Sequence, residues 1–556
     1  MHYQKQTILL RIIIAMLWLC CFGESLFSQA SDFKVSGFLS LGGDAYSVNG
    51  ISNRRSPFAY HANGGATFTY KNFSVPVNLA YSNQQFSYGY TLNRIGLTPT
   101  YKWAKAHLGW SSIEFSPYVM NRKQFLGAGL ELSPGLLRFS AFGGTMENPR
   151  AVQDTILYGA VLLPSFKRRA YGIKLGVGNA KNYFDLLAFN ARDDIGALSQ
   201  DEVVQTGVLP EDNLVIGTSF KVSIKQFFTL ESNAALSGLT RNKTTEPIPF
   251  DQQNIVDPFF TATGNTQASV AGNIRSRFIV KGQSFGLEYK RIEPNFRSMG
   301  LPFIQTDIQA YLAFVNLNFL KSKLSINLQG GLQNNNLRNT KAIQSNRNIA
   351  NINVMYRPNK QWQFMVQHNN FTNDTEGGTI ELSDTLRFTL TSGQSGFFVK
   401  YTTATKEDKW HASLNINRQN IQDLSPIARI TGDIKSLSAS ASIGKDIDKL
   451  DLTLKGTLLY TVYDGSFDNQ QRYGGGISVN KKFFHKKLSS RLDARYFRND
   501  IGAFSNGGVL TSGLNLSYSI NKSQSLAFNT YYINKKSLAS RDFTELRSGL
   551  SYQIRL

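Results

Sequence analysis

The stretch Glu545-Leu-Arg-Ser-Gly-Leu-Ser-Tyr-Gln-Ile-Arg-Leu556 decides the fold. Leu546, Ser548, Leu550, Tyr552, Ile554 and Leu556 alternate with Glu545, Arg547, Gly549, Ser551, Gln553 and Arg555. Successive side chains of a strand point to opposite faces, so the segment reads as a strand with one apolar and one wet surface. The same alternation recurs back to Phe33. Leu324, Ile326, Leu328 and Leu332 oppose Ser325, Asn327, Gln329 and Gln333, and Trp410, Ala412, Leu414 and Ile416 oppose His411, Ser413, Asn415 and Asn417. Such runs of about 11–14 residues exceed the usual globular strand of about 5–6. A soluble sandwich would hide the apolar faces in a shared core, and a propeller would repeat a blade at a fixed period, which this chain lacks. Long one-sided strands fit a transmembrane barrel, where half of each strand faces the lumen.

Reading for alternating runs bounded by turn residues gives about 26 strands. Short junctions such as Lys71-Asn72, Lys281 to Gln283, Leu320 to Lys323, Lys445 to Leu450 and Ile520 to Ser523 alternate with longer ones. The long connections include 118–123, 147–166, 193–212, 239–267, 294–307 and 372–393. The expected fold is all-β: an antiparallel up-and-down barrel with short periplasmic turns, longer external loops and both termini periplasmic. The early strands blur, at Gly64-Gly65 and Gly127 to Gly129, and kinks are expected there. Upstream, Lys5 and Arg11 precede and interrupt an apolar core from Ile8 to Phe22, and Ser25 to Ala30 supply small residues. Residues 1–29 therefore read as a signal peptide cleaved near Ser28 to Ala30, and 30–556 as the barrel. Cys20 and Cys21 lie inside the leader. Leu19 before Cys20 and Trp18 three before Cys21 are wrong for a lipoprotein site, so the mature chain carries no cysteine chemistry.

The terminal pattern of Arg547, Gly549, Tyr552, Ile554 and Leu556 resembles the C-terminal assembly signal of bacterial outer-membrane barrels. The segments Val75-Pro-Val-Asn-Leu-Ala-Tyr-Ser-Asn, Leu97-Thr-Pro-Thr-Tyr-Lys-Trp, Ala106-His-Leu-Gly-Trp and Phe125-Leu-Gly-Ala-Gly-Leu-Glu-Leu are similar to an uncharacterised family of large Gram-negative outer-membrane barrels without a plug domain. This resemblance is clearest over 33–150. It implies outer-membrane lipid and the barrel-assembly machinery as partners, and it implies no activity.

The formal charge of +22 is spread along the chain, without the basic patch, stacking aromatics or zinc spacing of a nucleic-acid module, so no nucleic-acid partner is expected. The mature chain has five histidines: His61, His107, His368, His411 and His485. None stands in a lipase or protease context, and no phosphate-loop or metal-ligand motif occurs; neither an enzyme nor a cofactor is expected. His411 shares an inward phase with Ser413, and His368 reads as an interface residue near a strand end. Two acidic clusters, Asp193, Asp194, Asp201, Glu202, Glu211 and Asp212, then Asp374, Glu376, Glu381 and Asp384, lack EF-hand spacing and read as solvated loop charge. On the inward phase fall Arg275, Arg277, Lys290, Lys400, Lys455, Arg491, Arg495, Arg547 and Arg555, with Asp451, Asp493 and Glu545 as acidic partners.

These features predict a channel or transporter for polar solutes, anionic ones among them, with a lumen narrowed by its own loops, chiefly 239–267, 147–166 and 193–212. So few residues separate the leader from the first strand that no N-terminal plug is expected, although an open barrel of this width would breach a permeability barrier. The alternative is a secretion- or surface-assembly-associated barrel whose lumen a partner protein fills.

Overall fold

The computed structural model describes residues 32–83, 93–150, 156–157, 160–161, 164–247, 259–377, 389–404, 408–424, 433–465, 469–502, 504–538 and 540–556. The expected leader lies outside them. One antiparallel sheet runs around the molecule in chain order. Its first strand, Phe33–Asn49, pairs with Phe58–Tyr70 on one side and with the last strand, Phe543–Arg555, on the other, so the sheet closes. The short pieces Arg94–Leu97 and Thr100–Tyr101 form one stave interrupted at Thr98-Pro99, where proline cannot donate to the ladder. The result is a closed barrel of 26 strands.

Closure leaves no edge, and the outer surface explains where such a barrel sits. Ile173, Leu175 and Val177 on Lys167–Gly178 are exposed, as are Leu454, Leu458 and Tyr460 on Leu452–Asp464 and Leu492 and Tyr496 on Leu488–Ile501. Apolar side chains repeat in this way around the circumference, which suits hydrocarbon and not water. Among the described residues no helix is long and apolar enough to cross a membrane, which for a strand-built protein is immaterial.

The seam shows why the terminal residues matter. Ile554 is buried opposite Leu39, and Tyr552 stands opposite Leu41 and Leu526. The Leu556 amide donates to the Gly37 carbonyl at 3.0 Å. A Cβ on Gly549 would lie 2.6 Å from the Asp44 carboxylate, so the missing side chain makes room for a group that also faces Arg547 at 3.6 Å.

Three expectations change. The connection 118–123 is a tight turn, Pro117 to Val119, between Ala104–Ser116 and Met120–Leu132. The strand Trp362–Gly377 takes in the first residues of the supposed loop 372–393, so Asp374 and Glu376 belong to the wall. The short junction expected at Lys445 to Leu450 narrows to Asp448 to Asp451, because the strand Ile434–Ile447 runs on through Lys445 and the next, Leu452–Asp464, opens at Leu452.

Candidate functional site

The pairing register carries one face of the sheet from strand to strand. On Tyr183–Asp194, exposed Phe184 and Leu186 point outward, whereas Asp185, Leu187, Phe189, Ala191 and Asp193 point in and are buried. The inward set continues through Val215, Ala235, Leu239, Ala271, Ile292 and Ile308, and backwards through Phe142, Phe125 and Ile113. These side chains form an apolar core inside the barrel. Phe125 and Phe142 have ring centroids 4.6 Å apart, and Phe142 stacks on Phe189 at 6.4 Å.

That core is covered by the connection Glu293 to Asp307, which turns inward and crosses the wall as a strap. The Pro294 carbonyl accepts from Ser269 at 3.1 Å, and the Arg297 carbonyl from Ser237 at 2.5 Å and from the Asn213 amide at 3.2 Å. Met299 N–H donates to Asn213 Oδ1 at 2.9 Å, so one side chain satisfies a donor and an acceptor of the strap. Ser298 Oγ donates to the Val119 carbonyl at 2.5 Å, and Asn121 N–H to the Gly300 carbonyl at 3.2 Å. Phe296, Met299 and Leu301 drop into the apolar core, and Tyr118 meets Phe296 edge-on at 6.4 Å. Close approach dictates one small residue: a Cβ on Gly217 would lie 2.6 Å from Val119 Cγ2.

Both ends of the strap are tied by charge. Burial opposes ionisation of Glu293, but the Val270 amide (3.0 Å) and Arg338 (3.0 Å) outweigh it and hold the carboxyl below its usual range. Asp307 is likewise resisted by burial and held low by Lys341 and the Leu337 amide (2.9 Å). Midway, Arg297 meets Glu211 at 2.5 Å. Glu211 also faces Arg168, whose guanidinium forks onto Asp193 at 2.8 and 2.9 Å. Beside the strap lies a cavity of about 390 Å³ lined by Lys123, Arg168, Arg241, Arg297, Phe296 and the exposed Phe303.

The wall that follows, from Leu324 onward, is bare among the described residues. Gln329, Asn351, Asn369 and Gln394 stand in register across four strands, and Asn327, Asn353 and Gln367 form the next row. Their inward phase is fixed by exposed Leu328, Ile352, Val366 and Phe397 on the other face. These seven amides make no side-chain hydrogen bond among the described residues. With strands about 4.8 Å apart, the four-residue row spans roughly 14 Å of neutral donors and acceptors.

The basic residues singled out in the sequence all lie on the inward register but are not gathered into one cluster. Arg275 is 3.9 Å from Glu288 and stacks over Phe314 at 4.3 Å. Arg491 forks onto Asp493 at 3.0 and 3.2 Å, and Glu545 lies 3.8 Å from Arg54. Arg277, Lys290, Lys400, Lys455, Arg495 and Arg555 have no carboxylate within 4.0 Å among the described residues. They stand opposite Gly286, Ala310, Ser413, Ser478, Gly476 and Phe38 respectively.

Asp451 requires correction. It is a turn residue with φ 48°, paired with Lys486 at 3.3 Å on the rim, and does not line the wall. His411 and Ser413 share a face but are not joined: His411 lies 3.9 Å from Asp446, and Ser413 bonds Ser442 at 2.8 Å. His368 faces outward and bonds Ser395 at 2.8 Å. Among the described residues it is the strap that lies against the inner wall. Residues 248–258 fall outside the description, and Phe260 packs beside Gly238, on the outward phase of its strand. Likewise, Asp193 and Asp212 belong to Arg168 and Arg192 instead of to solvated loops. Sequence reasoning missed Asn213, Arg168, Arg297 and Ser237. The signal was present: Ile113, Phe125, Phe142, Phe189, Val215, Ala271 and Ile292 hold inward positions that a wet lumen would make polar.

No family model matches the chain, and no curated protein matches it. Solved structures similar to it are barrels. The P pilus usher (PapC) translocation pore is 10% identical, with 94% of this chain and 99% of that one covered at a TM-score of 0.38. The ferric enterobactin receptor (PfeA) mutant from Pseudomonas aeruginosa is 9% identical, covering 94% and 80% at 0.40. The outer membrane protein OpdK from Pseudomonas aeruginosa is 14% identical, covering 63% and 94% at 0.30. These likenesses are of barrel architecture and assign neither solute nor partner.

Proposed function

We propose that the protein is an outer-membrane channel for polar solutes, its lumen narrowed on one side by the Glu293–Asp307 strap. The observation that carries this reading is the asymmetry of the interior among the described residues: a strap bonded over an apolar core on one stretch of wall, and inward amides without side-chain partners on the next. Closed barrels with an apolar outer belt are the strand-built solution for spanning a membrane, and a hydrated lumen gives polar solutes a path. Among the described residues, inward cations without a carboxylate partner (Arg277, Lys290, Lys400, Lys455, Arg495) outnumber unpaired inward acids, which favours anions over cations in a low-dielectric wall. The cavity lined by Lys123, Arg168, Arg241 and Arg297 offers an anion a basic surface at the strap.

Conductance of the purified barrel in a planar bilayer tests the reading. A salt gradient should give a reversal potential on the anion side, moving towards cations when Arg277, Lys290, Lys400 and Lys455 are changed together to Gln. Substituting paired Arg491 or Arg275 should move it less. An electrically silent barrel that co-purifies with another protein from its native membrane would transfer the case to the partner-filled alternative.

A further inference from the structure

The two ends of the barrel carry opposite charge. The twelve short turns together hold thirteen lysines and Arg357 against Glu407, Asp448 and Asp451, a net charge about half of the chain's +22. Only the turn Ser133 to Leu136 lacks a base. The thirteen connections at the other end hold eleven bases against fourteen acids. Turn chemistry does not account for the lysines. Lys71, Lys102, Lys225, Lys281 and Lys321 sit at φ 50°, 49°, 52°, 48° and 56°, left-handed positions where glycine or asparagine costs less. Nor does ion pairing: Lys225, Lys281, Lys321 and Lys522 have no carboxylate within 4.0 Å among the described residues.

A second observation gives the ring its depth. Exposed aromatics collar the barrel beside these turns: Tyr70, Tyr101, Trp103, Phe319, Trp362 and Trp410. Lys71 lies 5.4 Å from the centre of the Tyr70 ring and Lys102 5.3 Å from that of Tyr101. Aromatic collars mark the level of lipid headgroups, so the ammonium groups stand at the level of the phosphates. We propose that the short-turn rim is a binding ring for anionic phospholipid headgroups in the leaflet it meets. Clustered basic residues at a membrane surface attract anionic lipid, and the attraction weakens with salt.

The test places the full-length barrel in nanodiscs of phosphatidylcholine with a minority of phosphatidylglycerol and reads the boundary lipid with spin-labelled analogues of each. The expected result is several-fold enrichment of phosphatidylglycerol at the protein. It should fall towards parity at high salt and on changing Lys71, Lys102, Lys225, Lys281, Lys321 and Lys522 to Gln, and return when the same positions carry Arg. Should the sixfold Gln variant fail to assemble, two threefold variants should each lose part of the enrichment. Arg54→Gln with Arg55→Gln, at the opposite end, should leave it unchanged. Equal boundary fractions in the wild type, or enrichment that survives the turn substitutions, would overturn the proposal. Inorganic phosphate at matched ionic strength should not compete; if it does, the ring is a general anion surface and the lipid assignment fails.

Discussion

The wall from Ala104 to Phe319 and the wall from Leu324 to Arg555 share one outer surface but differ inside, where only the first carries a buried apolar core among the described residues. In the first, inward residues such as Phe125, Phe142, Phe189, Val215 and Ile292 are buried under the strap and the Tyr118 turn. In the second, the described inward side chains are amides and charges, and Ile554 at the seam is the one large apolar residue buried among those described. The difference teaches that alternation along a strand reports what lies on each side of it, not merely that a strand exists. Where hydrocarbon lies outside and water inside, the pattern is two-toned. Where hydrocarbon lies outside and a folded connection inside, both faces turn apolar and the pattern fades.

The sharpest way to break this comparison is to remove a large side chain from each wall. Phe125→Ala should cost about 3–5 kcal/mol, because a fully buried ring leaves a cavity among Ile113, Phe142 and Phe189. Phe398→Ala, half-buried on the bare wall, should cost clearly less. Unfolding in urea from detergent micelles measures both, and equal losses would erase the distinction between the walls. Next in size, Leu458→Arg, on the outward face and well exposed, should destabilise by about 2–4 kcal/mol, whereas Thr457→Arg on the inner face should cost much less.

A smaller effect tests the strap alone. Asn213→Ala removes the partner of Met299 N–H and of the Arg297 carbonyl, at about 1–3 kcal/mol for buried groups left unmade. Amide exchange across 293–307 should quicken while the strands of the bare wall stay protected. Acid gives the mildest effect. Glu293 and Asp307 are both held below their usual range, so their contribution is present at neutral pH and is lost as pH falls through their lowered values. Exchange in the strap should therefore rise only below about pH 4, the ordinary carboxylate range. A rise near pH 6–7 would mean that these ties do not hold it.

Much of the architecture was legible in the sequence. The alternation in the last strand, the long–short rhythm of connections and the strand number all follow from period-two patterning and turn residues, which are local. The strap was not legible as such. Pro294 to Thr306 reads as an ordinary loop, and nothing in its own residues says that it turns inward. Its counterpart was visible in the wall, where Phe115, Phe189, Val215 and Ala271 occupy lumen-phase positions that a wet interior would make polar. The blurred pattern near Gly127 to Gly129 had the same origin: Gly129 admits Ile113 Cδ1, 2.8 Å from where a Cβ would stand. Asp451 was misplaced because a three-residue helical turn, Asp448–Leu450, precedes it and shifts the strand start by two residues.

The central claim is that a lumen runs through this barrel and that the strap narrows it. Single-channel conductance of the wild type should be compared with that of a variant in which residues 295–305 are replaced by a short Gly-Ser turn. The same replacement at 537–541, in the connection between Gln524–Lys536 and Phe543–Arg555 of the bare wall, serves as the control. The account predicts a finite wild-type conductance, a clear increase when the strap is removed and little change in the control. No current in any of the three, or equal currents in all, would contradict it.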